Sequence, residues 1–96
     1  MITHIVFFKL ADPTPDMVSA TRERLLAMKG KIDVIRRLEV GADVIRSERS
    51  YDLALVARFD TLSDLRVYQE HPLHAGDVVP YVRSVCSSIV AVDYES

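Results

Sequence analysis

The chain has no tryptophan, three glycines, four prolines and a single cysteine among its 96 residues. One cysteine excludes an intrachain disulfide, and with it the disulfide-stapled scaffolds of small secreted domains; a cytoplasmic location is the expectation. Cys86 sits in the apolar stretch "SVCSSIVAV", where a small buried filler is the ordinary role for a free cysteine. No apolar run approaches the roughly 20 residues that a membrane span needs. The opening stretch, "MITHIVFFKLADPTP", carries no basic leader and meets charge at Lys9, so no signal peptide and no membrane association are expected. Positive charge is not in excess either: 12 basic residues face 14 acidic ones, for a net charge of −2. A nucleic-acid partner would want a basic patch, and the arginines at 36, 37, 46 and 49 are interrupted by Glu39, Asp43 and Glu48.

What remains is the composition of one ordinary domain, 49% hydrophobic and 27% charged, expected to span residues 1–96. "ITHIVFFKL" is rich in β-branched and aromatic residues and reads as a strand over 2–10. Thr14, followed by Pro15 and Asp16, opens a helix that the spacing of Val18, Thr21, Leu25 and Met28 carries to about Lys29, with Gly30 as its stop. A second strand is expected over 35–44, with Gly41 marking a bulge or bend. "YDLALVARF" alternates cleanly: Tyr51, Leu53, Leu55, Ala57 and Phe59 share one face, and Asp52, Ala54, Val56 and Arg58 the other. "DTLSDLRVYQEH" starts a helix capped at Thr61 or Asp60 that Pro72 ends or kinks. A short helical piece over about 73–82 and a last strand through "SVCSSIVAVDYE" complete the order βαββαβ. That order is a ferredoxin-like α+β subunit, an antiparallel four-stranded sheet with its helices on one face.

Both faces of the strands carry apolar residues: Ile5 and Phe7 against Val6 and Phe8, Ala54 and Val56 against Leu53 and Leu55, Val90 and Val92 against Ile89 and Ala91. The helices cover one face, and no part of the chain is left for the other. A second copy is the simplest cover, so a homodimer through the sheet face is expected, two sheets closing into an α/β barrel.

Two of the three histidines fall in "YQEHPLH", residues 68–74. Two histidines with Glu70 nearby invite a metal, but Pro72 breaks the continuous helical face such a site needs, so neither metal nor cofactor is expected. In one unbroken helix Tyr68 and His74 would point roughly 240° apart; a break at Pro72 can bring them together. At the start of a new helix His74 would be held neutral by the helix dipole and able to accept a proton. A neutral imidazole with a phenol donor suits removal of a proton next to a carbonyl. The plain alternative keeps Tyr68 in the core, His71 as a cap between helices and His74 on a backbone carbonyl.

"HIVFFKL", "LEVGAD", "RSYDLALVARFDTLSDLRVYQEHPLH" and "VAVDYE" together resemble the stress-responsive A/B barrel (Dabb) family, over essentially the whole chain and most specifically from Arg49 to His74. The resemblance implies a ferredoxin-like subunit that dimerises into an α/β barrel. For a plant branch of the family it implies polyketide cyclases that close a ring by aldol condensation without a cofactor. There the second histidine of the HPxH motif is the base and a tyrosine of the preceding helix assists, which would be His74 and Tyr68 here. A histidine of the first strand, His4 here, lies near the same pocket. The chain departs from those cyclases in having no aromatic residue between Ala11 and Ser50 to shape a long polyketide pocket. Three readings are open: a hydrophobic small-molecule binder or cofactor-free enzyme built on His4, Tyr68 and His74; a non-catalytic dimeric structural or interaction module; and, by fold analogy alone, a monooxygenase of the same architecture.

Overall fold

The computed structural model describes residues 1–96. Its elements are β1 (Ile2–Leu10), α1 (Pro15–Leu26), β2 (Arg37–Ala42), β3 (Leu53–Phe59), α2 (Leu62–Glu70), a π-helical turn (His74–Val78), α3 (Val79–Val85) and β4 (Cys86–Glu95). The strands form one antiparallel sheet in the order β2-β3-β1-β4 with the helical layer on one side, which is the ferredoxin-like subunit expected from the pattern.

The local signals act as their chemistry predicts. Thr14 caps α1 by accepting from the Met17 N–H at 3.2 Å, with Pro15 in the first turn. Thr61, not Asp60, caps α2, accepting from the Asp64 N–H at 3.1 Å. α1 is regular only to Leu26. The chain then turns through residues 27–30, and Gly30 takes a left-handed φ of 79° that a glycine adopts without cost. β2 is shorter than the pattern suggests, and Gly41 makes no bulge: it pairs with Ala54 in unbroken register. The irregularity lies instead between Lys9 and Leu10 in the β1–β4 ladder. β3 begins at Leu53 because Asp52 is diverted. Its buried carboxylate accepts the Leu10 N–H at 2.7 Å and pairs with Arg46 at 2.8 Å, which ties the β2–β3 connection to the end of β1.

The helix-side rows of the sheet hold the core, among them Val6, Phe8, Leu55, Ala57 and Phe59, packed against Leu25 and Met28 at the end of α1 and just after it, and against Leu65 and Tyr68 of α2. Burying each such side chain contributes roughly 1.5–3 kcal/mol. The opposite rows run Ala54–Phe7–Val90 and Val56–Ile5–Val92 across three strands. Here Phe7, Val90, Val92 and Tyr94 remain between 43 and 61% exposed, so an apolar surface stays open on the helix-free side.

Candidate functional site

The site begins at the proline. α2 stops at Glu70, and His71 adopts an extended φ of −60° and ψ of 136°, the conformation that a residue before proline prefers. His71 then caps the next helical segment. Its Nδ1 accepts the Leu73 N–H at 3.1 Å and its carbonyl accepts the Ala75 N–H at 2.8 Å. The helical backbone resumes at Pro72 and runs through the π-turn into α3 as far as Val85, longer than the piece expected over 73–82. The wide turn has a local cause. Pro80 offers no N–H to the carbonyl of Gly76 and its ring would crowd that carbonyl in α geometry. The preceding turn opens instead, closed by the Val79 N–H on the His74 carbonyl.

This break swings His74 back over Tyr68. Their ring centroids lie 4.3 Å apart, and on the other side Tyr68 meets His4 edge-on at 5.8 Å. Phe59 supports the phenol from beneath at 5.1 Å. His4, Tyr68 and His74 thus form one wall of a cavity of about 390 Å³ between the helical layer and the β1–β4 half of the sheet. The remaining lining is mostly aliphatic, chiefly Val6, Leu25, Leu55, Val78 and Val82. Deep apolar walls with a few convergent polar groups are the usual make-up of a small-molecule site.

Each polar group has a defined state. The Nδ1 of His74 lies 3.1 Å from the Gln69 carbonyl, which can only accept, so Nδ1 carries the proton and Nε2 is a free lone pair. Burial lowers the His74 pKa, the neighbouring His4 and His71 add to the effect, and the Gln69 hydrogen bond opposes it. The neutral form expected from a helix start is therefore present, with burial as its leading cause. Tyr68 is 1% exposed, and its pKa is raised by burial first and by the Asp93 charge second, so the phenol stays protonated. Its hydroxyl has no hydrogen-bond partner within the protein and is not sealed off, so it borders the cavity. His4 donates Nδ1–H to the carboxylate of Asp93, its direct neighbour in the β1–β4 register, which fixes the orientation of the ring.

Asp93 is the participant that the sequence does not disclose. It stands out in "VAVDYE" as an acid on the helix-side phase of an apolar strand, but only the register places it beside His4. Nowhere do three or more His, Cys, Asp or Glu side chains gather closely enough to hold a metal ion. No helix is long and apolar enough to cross a membrane. Cys86 is half-buried, not fully enclosed, and burial raises its thiol pKa, the setting of an unreactive cysteine.

These features define a ferredoxin-like domain with a histidine- and tyrosine-walled cavity under its helices. The sequence pattern of the stress responsive A/B barrel domain matches residues 2–96, and the chain belongs to that family. No curated protein matches the sequence. Among solved structures, a dimeric protein of unknown function and ferredoxin-like fold from Bacteroides fragilis is 34% identical, with a TM-score of 0.83 over 99% of this chain and 95% of that one. A dimeric ferredoxin-like protein from Thermobifida fusca is 30% identical, with a TM-score of 0.86 over 99% of this chain and 90% of its own. The hydroxynitrile lyase of Passiflora edulis shares the fold at 14% identity, with a TM-score of 0.82 over 97% of this chain and 90% of the lyase.

Proposed function

We propose that the protein is a homodimeric A/B barrel that binds a hydrophobic carbonyl compound in the His4–Tyr68–His74 cavity and moves a proton at the carbon next to the carbonyl, without a cofactor. The observation that carries this reading is the convergence of a protonated phenol and a neutral imidazole with a free Nε2 on one apolar cavity. The Nε2 of His74 takes the proton from the α-carbon. The electron pair left behind delocalises onto the carbonyl oxygen, and the Tyr68 hydroxyl donates to that developing oxyanion. His4, oriented by its bond to Asp93, presents its Nε2 on the far side of Tyr68, placed to relay a proton. Aldol-type ring closure and isomerisation both begin with this step.

The dimer is supported by the open sheet face, with its exposed Phe7, Val90, Val92 and Tyr94, and by relatives at 34 and 30% identity that are described as dimeric. Two such faces packed at about 10 Å would bury this surface.

The test of the chemistry is deuterium exchange at the α-carbons of methyl hexyl ketone in heavy water, followed by NMR. The protein should accelerate exchange, and His74→Ala and Tyr68→Phe should each remove most of the acceleration, about 10²-fold for a general base, while remaining folded. A folded wild-type protein that leaves the exchange rate at its background value favours the non-catalytic module instead.

A further inference from the structure

We propose that Arg83 selects the ligand of this cavity by an anionic head group, so that the compound bound is a keto acid: a carbonyl end, an apolar body and a terminal carboxylate. The inference rests on the small-molecule reading of the cavity and adds the substrate class. Arg83 is the one permanently charged side chain that lines the cavity. No acidic side chain lies within salt-bridge distance of it, as for five other arginines of the chain, but Arg83 alone of these lines this cavity. Its position gives the cavity a direction. Tyr68 is buried, His74 is half-buried and Arg83, in the last turn of α3, is exposed. Val79 and Val82 of α3 and Ile89 and Ala91 of β4 add apolar lining to the same cavity.

A ligand with its carbonyl at Tyr68 would therefore lay an aliphatic stretch along these residues and bring its other end to the guanidinium. The planar fork of an arginine matches a carboxylate through two parallel hydrogen bonds. An uncharged ligand would leave this cation without a counter-charge in the cavity. Arg83 has one structural use already, since a basic residue in the last turn of a helix complements the dipole. That use affects stability and is blind to the charge of a ligand, so the two roles can be told apart.

The experiment compares 7-oxooctanoate with its methyl ester, which share the methyl ketone and the chain and differ in the charge at the far end. Binding is read by calorimetry at pH 7 to the full-length protein and to Arg83→Gln and Arg83→Lys. The wild type should bind the acid about fivefold more tightly than the ester, as expected for a solvent-accessible ion pair. Arg83→Gln should abolish that preference with the affinity for the ester unchanged, and Arg83→Lys should restore part of it. A wild type that binds acid and ester equally overturns the proposal and leaves the cavity reading intact. So does a preference that survives in Arg83→Gln, including the case in which that variant only loses stability. If neither compound binds, the ester result shows that the cavity reading itself has failed, and the head-group proposal falls with it.

Discussion

Tyr68 separates structural from chemical roles more sharply than any other residue. Its ring is core, packed on Phe59 and between two imidazoles, while its hydroxyl is unpartnered at the cavity. Tyr68→Ala should therefore cost about 3–5 kcal/mol of unfolding free energy. Tyr68→Phe should cost less than about 1 kcal/mol, because no protein hydrogen bond is lost. Denaturant titration of both variants checks this pair; a costly Tyr68→Phe would show that the hydroxyl is structural. His74 makes a second prediction. Its pKa in the fold lies below the ordinary 6.5, so between those two values the unfolded chain binds a proton that the folded chain does not. The contribution of His74 to stability is thus fully present above pH 6.5 and is lost as pH falls through the folded pKa. NMR titration of the imidazole should give a midpoint below 6.5, and a midpoint at or above it would contradict the burial of the ring. The pairing of Tyr68 with His74 is legible in the sequence because a proline between them forces the chain to change direction. The Asp93–His4 contact is not, because it depends on a strand register spanning 89 positions.

At the scale of elements, punctuation carries most of the information. Thr14, Pro15, Thr61 and Pro72 each act on the one or two turns beside them, and the structure uses each as expected. Thr61→Ala removes an acceptor from the first turn of α2, the helix that presents Tyr68, and should destabilise by about 1 kcal/mol in thermal or chemical unfolding. An unchanged stability would mean that water replaces the cap without penalty. Pattern and structure part where one residue has two meanings. Gly41 in a strand signals a bulge only if the ladder shifts, and here its partner Ala54 keeps register. Pro80 suggests a short helix, whereas the chain widens one turn into a π-helix and continues to Val85. Periodicity does not report that accommodation, because Pro80 opens the turn before it without ending the helix.

For the whole molecule, the sheet has two apolar faces and a single helical layer. The order of elements and the surplus of apolar positions are both written in period-two alternation, which is why the fold can be read without coordinates. The cavity cannot, because its volume depends on how far the break at Pro72 and the turn before Pro80 hold α2 and α3 off the β1–β4 edge. The exposed rows Ala54–Phe7–Val90 and Val56–Ile5–Val92 should make the protein sediment as a dimer at micromolar concentration. Val92→Glu, at the most exposed of these positions, should shift it to monomer without unfolding it, because desolvating an unpaired carboxylate in an apolar interface costs several kcal/mol. A wild type that sediments as a monomer would remove the sheet-to-sheet dimer from the account.

The pH dependence of α-proton exchange tests the central claim most directly, since it reads the base, the donor and the cavity together. The rate with methyl hexyl ketone should rise with pH through a midpoint below 6.5, where His74 loses its proton, and hold its plateau through neutral pH while the Tyr68 phenol remains protonated. His74→Ala should abolish that limb. A protein-dependent rate whose acid limb is unchanged in folded His74→Ala would contradict the assignment of His74 as the base.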